Sequence, residues 1–185
     1  MIYNWKTIVK NSIPLLTICV IIEIFAGQIL QLNQDKLFMI PIFLISIPVI
    51  NGIGGNLGSI LGARMASGLH VGYIEYSAKD KNMHQNLITT ILLGVITYFS
   101  LAIIIYLLAI FWNLAEDIEL IEFTTIILGA GFLLILVISV ISIVTAFWSF
   151  KKGLDPDDMV APVVTTVGDT MGIIFLFVLI GVVGI

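Results

Sequence analysis

Five long apolar segments constrain the fold of this 185-residue chain more than any other feature of its sequence. They cover about residues 12–31, 37–66, 85–112, 123–150 and 157–185, and each reaches the ~20 residues that a helix needs to cross the hydrocarbon core of a bilayer. Only 11% of the residues are charged, against roughly 25% in soluble domains. The sequence therefore predicts an all-α, multi-pass protein of the cell membrane, with one five-helix domain over residues 1–185 embedded in the lipid bilayer.

The basic residues are distributed unevenly between the two sides of this predicted bundle. Seven of the eight fall on one side: Lys6, Lys10, Arg64, Lys79, Lys81, Lys151 and Lys152. Only Lys36 falls on the other side. Because cytoplasmic loops of membrane proteins are enriched in Lys and Arg, this distribution predicts a cytoplasmic N-terminus and an external C-terminus.

Acidic residues gather on the predicted external side. They are Asp35, Glu116, Asp117, Glu119 and Glu122. Such a cluster raises the local concentration of cations by long-range attraction, which would suit the mouth of a cation pathway. A solvated acidic loop with no role in transport explains the same residues equally well.

Two carboxylic acids, Glu23 and Asp169, lie inside predicted spans. An ionisable group near the bilayer centre costs at least ~2.5 kcal/mol, so such groups usually face protein, water or a bound ion. No Lys or Arg lies deep in any predicted span. Each acid must therefore be protonated, exposed to an aqueous cavity or balanced by a cation. A site built only from oxygen ligands favours a hard ion such as Mg²⁺ over zinc or copper.

The last predicted helix presents small and polar residues around Asp169. Asp155 and Pro156 form a typical helix start, so Asp169 is expected ~21 Å along the helix at ~1.5 Å per residue. Three- and four-residue steps place five residues on one predicted face: Ala161, Thr165, Gly168, Asp169 and Gly172. Such a face suits a pore lining better than a lipid contact, and Thr165 is therefore a candidate ion-site residue beside Asp169.

The second predicted helix is rich in residues that weaken or bend helices. It runs through two prolines into a segment, residues 51–59, that contains four glycines and two asparagines. Gly54, Gly58 and Gly62 follow the four-residue spacing that lets two helices approach closely. Close packing would account for these glycines, and freed carbonyl groups lining a water-filled cavity would also do so. The asparagines favour the second alternative, because packing alone requires no amide.

Two motifs in these helices resemble signatures of a known family. Residues 48–58, PVINGIGGNLG, followed by LGARMAS at 61–67, resemble the second-helix signature of the MgtE and solute carrier family 41 magnesium transporters. Residues 155–169, DPDDMVAPVVTTVGD, resemble the signature that opens the last core helix of that family. The resemblance implies a five-helix unit, with a magnesium pore between two units related by a two-fold axis.

The resemblance also implies roles for individual residues. Asp169 would bind the ion in the pore, and Asn56 would be the matching amide of the second helix. The Gly54–Gly55 backbone would face the hydrated ion, and Glu23 corresponds to an acid often found in the family's first helix.

This sequence departs from the family's pattern in three respects. MgtE proteins carry cytosolic magnesium-sensing domains before the membrane unit, whereas this sequence begins about eleven residues before the first predicted helix. Solute carrier family 41 proteins hold two units in one chain and this sequence holds one, so we expect a homodimer. Ile60 stands where MgtE proteins often carry a polar residue, so the ion selectivity could differ.

The predicted function is transport of a divalent metal ion, Mg²⁺ with Mn²⁺ and Co²⁺ as further candidates, through a homodimeric pore. One alternative is a Na⁺- or H⁺-coupled Mg²⁺ exchanger in which Glu23 titrates or binds sodium. Another is a non-transporting membrane subunit whose acids make helix–helix hydrogen bonds. An enzyme is not predicted, since the sequence shows no nucleophile–base pair, phosphate-binding loop or intramembrane His/Cys cluster. No nucleic-acid partner is predicted either.

Overall fold

The computed structural model describes residues 5–77, 79–116 and 118–184, and the regular structure within these ranges is helical throughout. The helices are α1 (Trp5–Leu32), α2 (Gln34–Met39), α3 (Ile42–Val71), α4 (Lys81–Phe111), α5 (Leu120–Lys151) and α6 (Pro156–Val183). All except α2 are long and apolar enough to cross a membrane. The predicted all-α, multi-pass fold is therefore confirmed. Asp117 of the predicted acidic loop and residue 185 of the last predicted helix lie outside the described residues.

The second predicted segment, 37–66, has different boundaries in the structure. Its beginning belongs to the separate helix α2, and α3 starts only at Ile42 after Pro41. Proline has no N–H to continue a preceding helix, which explains the break at this point. At the other end α3 continues to Val71, where Gly72 stops it in the left-handed conformation with a φ of 77°.

The longer α3 shortens the polar connection that was predicted between residues 67 and 84. His70 lies in the last turn of α3, with its ring 5.5 Å from that of Phe150, and His84 lies in the first turn of α4. Both side chains are exposed, and both residues belong to helices. The side chain of Asp80 caps α4 by accepting the N–H of Met83, and this bond lowers the pKa of the Asp80 carboxyl group.

Helix α6 connects α1 to the rest of the bundle. It packs against α1, α3 and α5, while α3 also contacts α4 and α5. Among the described residues, α1 contacts only α6 and the short α2. The body of the protein is thus a bundle of α3, α4, α5 and α6, and α6 is the only one of these four helices that α1 contacts within the described residues.

The spaced glycines of α3 lie where this helix is held between α5 and α6. A Cβ atom at Gly58 would overlap the side chains of Ile138 and Val164, and one at Gly62 would overlap Val160. The hydroxyl of Ser142 on α5 donates to the carbonyl of Gly58 across the contact, at 2.8 Å. The close packing expected from the spacing of Gly54, Gly58 and Gly62 is therefore present.

Tyr98 on α4 connects three helices in the middle of the bundle. Its side chain is fully buried, and its hydroxyl donates to the carbonyl of Ile50 on α3 at 2.8 Å. The tyrosine ring lies so close to Gly131 of α5 that a Cβ atom there would overlap it. The hydrogen bond and the glycine contact together hold α3, α4 and α5 to one another at the height of Tyr98.

Replacing Gly58 by alanine tests this packing. We expect Gly58→Ala to lower the stability of the protein by about 1–3 kcal/mol, because the added methyl group forces two β-branched neighbours out of place. Gly52→Ala in the same helix is the matched control, since no described atom lies within 4 Å of a Cβ at that position. Thermal unfolding of the detergent-solubilised variants measures the difference, and equal stability of the two would contradict the packing account.

Candidate ion-binding site between α3 and α6

One side of α3 is left uncovered along much of its length. Exposed residues recur at four-residue steps: Leu44, Pro48, Gly52, Asn56 and Ile60. The opposite side carries Gly54 and Gly58 and is buried against α5 and α6. Asn56 therefore lies on the open side of α3, and no described residue forms a hydrogen bond with its side chain.

The neighbouring side of α6 carries the residues that were predicted to share one face. Ala161 and Thr165 are exposed and Asp169 is half-buried, whereas Gly168 and Gly172 are buried. A Cβ atom at Gly168 would lie 3.5 Å from the backbone nitrogen of Gly55 in α3. The predicted face is thus an open strip whose glycine edge packs against α3.

The two helices run antiparallel, and their contacts fix which residues share a level. Gly55 lies next to Thr165, since a Cβ at Gly55 would be 3.1 Å from the Cγ2 atom of that threonine. Asn51 lies beside Asp169, because its Nδ2 atom donates to the backbone carbonyl of Asp169 at 3.2 Å. Asn56 is therefore closer to the level of Thr165 than to that of Asp169. One helical turn, ~5.4 Å, separates the two levels.

Thr165 and Gly55 contribute different groups to this region. The hydroxyl of Thr165 donates to the carbonyl groups of Ala161 and Pro162, at 2.9 and 3.1 Å, and so directs its lone pairs away from the helix. Gly55 is buried, and because it has no side chain it lets the backbones of α3 and α6 approach each other closely. Thr165 can therefore accept a hydrogen bond from water on the open strip.

Asp169 is the acidic residue of the strip. No hydrogen-bond donor among the described residues reaches its carboxyl group. The charged group that acts on it is Glu23 of α1, so one chain brings two acids together in this region. Within the described ranges, no three His, Cys, Asp or Glu side chains form a cluster of their own.

Glu23 is held on the α1 side of α6. Its Oε1 atom accepts a hydrogen bond from the hydroxyl of Thr166 at 3.1 Å, and Thr166 itself is buried. About one turn away, Cys19 is buried with its Sγ atom 3.7 Å from the carbonyl oxygen of Pro162. Glu23 of α1 is thus bonded to α6 at Thr166, three residues before Asp169.

Sequence reasoning did not identify the contacts of three residues in and near this site. Thr166 was seen only as part of a small and polar helix, and its bond to Glu23 joins positions 143 residues apart, for which the sequence carries no signal. Tyr98 stands in an apolar segment with nothing to mark its hydroxyl as bonded to α3. Asn51 was interpreted, together with Asn56, as an amide that favours a water-filled cavity, and its contact with Asp169 becomes evident only in the structure.

Comparison with known proteins agrees with the motifs in these helices. A family model described as MgtE, divalent cation transporter, matches residues 47–179. The comparisons with curated proteins and with solved structures gave no match. The matched residues include all of α4 and α5 and most of α3 and α6. They also include the whole strip around Asp169. Because the match spans well over half of the sequence, the chain belongs to the MgtE family of divalent cation transporters.

Proposed function

We propose that two copies of this chain form a pore for Mg²⁺, in which the Asp169 carboxylates of both copies bind a hydrated ion. The observation that carries the proposal is the half-buried carboxyl group of Asp169, which has no hydrogen-bond donor among the described residues and lies on an open strip midway along a membrane-spanning helix. A carboxyl group in that position needs water, protein or a cation to compensate for its burial.

A homodimer would supply what one chain lacks. Thr165 and Asp169 on the open strip, and Asn56 on the neighbouring open side of α3, are polar groups in membrane-spanning helices that lipid does not solvate. A two-fold axis along the membrane normal would face this strip with its copy and place two Asp169 side chains opposite each other. The polar groups would then line an aqueous passage shared by the two subunits.

The chemistry of the strip favours a hydrated hard cation. Magnesium gives up its water reluctantly and is commonly bound by one or two carboxylates while it keeps several waters. Two Asp169 side chains meet that requirement, and the Asn56 amide and the Thr165 hydroxyl would contact the water shell one turn away. Mn²⁺ and Co²⁺ accept the same oxygen ligands, so we propose Mg²⁺ as the main substrate and these ions as competitors.

The direction of flux follows from charge and voltage. The basic residues near the start of α1, between α3 and α4 and between α5 and α6 would face the cytoplasm, and Glu119 and Glu122 at the start of α5 would face outside. The membrane potential drives a divalent cation inward by about 4.6 kcal/mol per 100 mV. A channel or uniporter of this design needs no other energy source for uptake.

Coupled exchange is a second candidate, favoured by the bond between Glu23 and Thr166. That bond places a second acid close enough to Asp169 for their charges to interact, which would suit a group that exchanges Na⁺ or H⁺ for Mg²⁺. Mg²⁺ uptake into proteoliposomes, measured with and without a sodium or proton gradient, distinguishes the mechanisms. Uptake that is independent of both gradients rules out obligatory exchange.

Asp169→Asn tests the proposed ion ligand. We expect Mg²⁺ uptake to fall by more than roughly 10-fold, since losing even an outer residue of a metal site costs about that much affinity. Asp157→Asn is the matched control, because it removes the same charge from the exposed first turn of the same helix. Uptake by Asp169→Asn equal to that of the control would contradict the assignment. A non-transporting subunit, whose acids only bond between helices, predicts no uptake by the chain alone, with or without the substitution.

Thiol labelling tests whether the strip faces water. Cys19 is the single cysteine, so Cys19→Ala provides a background for Thr165→Cys and for Ile96→Cys, whose parent side chain is 63% exposed on α4. We expect a small charged thiol reagent to modify Thr165→Cys and to leave Ile96→Cys unmodified, because the reactive thiolate forms in water and not in lipid. Equally slow modification of both would place the strip in lipid.

A further inference from the structure

We propose that Asn51 is a positioning residue for Asp169. The amide group of Asn51 packs against Gly172, which leaves room for it. The proposal rests on the ion-binding role of Asp169 stated above. It concerns how that carboxyl group is directed and adds no further ligand.

The side chain of Asn51 lies flat against α6 at the level of Asp169. It is only 7% exposed, and its Nδ2 atom donates to the backbone carbonyl of Asp169 at 3.2 Å. A Cβ atom on Gly172 would overlap the Oδ1 atom of Asn51. Only glycine at position 172 leaves room for the amide in this position, so the bond to Asp169 depends on both residues.

Packing does not explain the presence of an amide here. The Oδ1 atom of Asn51 is buried and has no hydrogen-bond partner among the described residues. A buried acceptor without a partner destabilises a protein, whereas leucine has the same branched skeleton of side-chain heavy atoms without an unsatisfied acceptor. The amide therefore serves the bond that its other end makes, which is the bond to the turn that carries Asp169.

The direction of the Asp169 side chain depends on the backbone of that turn. Its carboxyl group is not held by any donor among the described residues, so its direction follows the position of its own helical turn. Pro162, two turns earlier in α6, removes one backbone hydrogen bond and weakens the helix on that side. The bond from Asn51 acts as a clamp from outside α6, because it ties the turn at Asp169 to α3.

The clamp is itself attached to the rest of the bundle. Ile50, the residue before Asn51, accepts the hydrogen bond from the buried Tyr98 hydroxyl at 2.8 Å. Since Tyr98 packs against Gly131, the turn of α3 that bears Asn51 is fixed to both α4 and α5. Asn51 thus connects a rigid part of the bundle to the turn of α6 that carries the ion ligand.

Loss of this clamp should alter ion affinity without removing the ligand. In a two-fold pore any displacement of one carboxylate is repeated in the other, so the distance between the two changes by twice the shift. We expect the Mg²⁺ concentration for half-maximal uptake to rise by roughly 10-fold, as is usual for residues that orient a metal ligand. The saturated rate should change less, and the preference for Mg²⁺ over the larger Ca²⁺ should fall.

The experiment measures Mg²⁺ uptake into proteoliposomes as a function of Mg²⁺ concentration, with Ca²⁺ as competitor. Asn51→Leu keeps the branched skeleton of the side chain and removes the amide. Gly172→Ala keeps the amide and displaces it, and Gly181→Ala is the control on the same helix, with no described atom within 4 Å of its Cβ. We expect a raised half-saturating concentration for the first two variants and an unchanged one for the control.

A double substitution shows whether Asn51 and Gly172 act as one unit. In Asn51→Ala/Gly172→Ala the new methyl group no longer meets an amide, and the Leu134 side chain, 3.4 Å away, is in ordinary contact with it. We expect the double variant to have the same half-saturating concentration as Asn51→Ala alone. Additive effects of the two substitutions would show that Gly172 does not act through Asn51.

Two further outcomes separate this proposal from the one on which it rests. If Asp169→Asn abolishes uptake while Asn51→Leu retains the wild-type half-saturating concentration and Ca²⁺ discrimination, only the positioning role is wrong. If Asp169→Asn transports normally, the proposed ion site itself is wrong. Should Asn51→Leu not yield folded protein by thermal unfolding, Gly172→Ala decides the question by the same two measurements.

Discussion

The close antiparallel contact between α3 and α6 is the interaction on which the rest of the structure depends. Glycines at positions 55, 58 and 62 of α3 and at 168 and 172 of α6 bring the two backbones near enough for short side chains to bridge them. Only at that separation does the amide of Asn51 reach the carbonyl of Asp169. Larger residues along the contact would move the acid away from α3, and the open strip would no longer be one continuous surface.

The glycines that pack closely and the asparagine that is open to the surroundings lie on different sides of α3, although the sequence presents close packing and a polar lining as alternatives. The glycines face inward to α5 and α6, where they provide tight packing, and Asn56 faces outward one residue after Gly55. Because an α-helix turns by 100° per residue, adjacent positions serve opposite purposes. The glycine spacing therefore carries no direct information about ion binding, and it is the amide beside it that marks the open side.

The sequence predicts much of the fold and the acid at the centre of the candidate site, because both follow from the cost of burying polar groups in lipid. Segment lengths set by bilayer thickness indicated all five spanning helices, and an unpaired charge in an apolar run indicated Asp169. The break at Pro41 and the extension of α3 to Val71 were missed, since both depend on local capping inside a nearly continuous apolar pattern. The contacts of Asn51, Thr166 and Tyr98 were also missed, because each joins positions 48 to 143 residues apart.

The attachment of α1 has a consequence for any movement of the bundle. Among the described long helices, α1 packs against α6 alone, through contacts that include the Thr166–Glu23 bond and the Cys19–Pro162 contact. A displacement of α6 relative to α3 would therefore carry α1 with it. Glu23 would keep its position relative to Asp169, while the bond from Asn51 to the Asp169 carbonyl would stretch or break. The two acids would thus stay together during such a movement, and the α3–α6 contact is the place where it would alter the surroundings of Asp169.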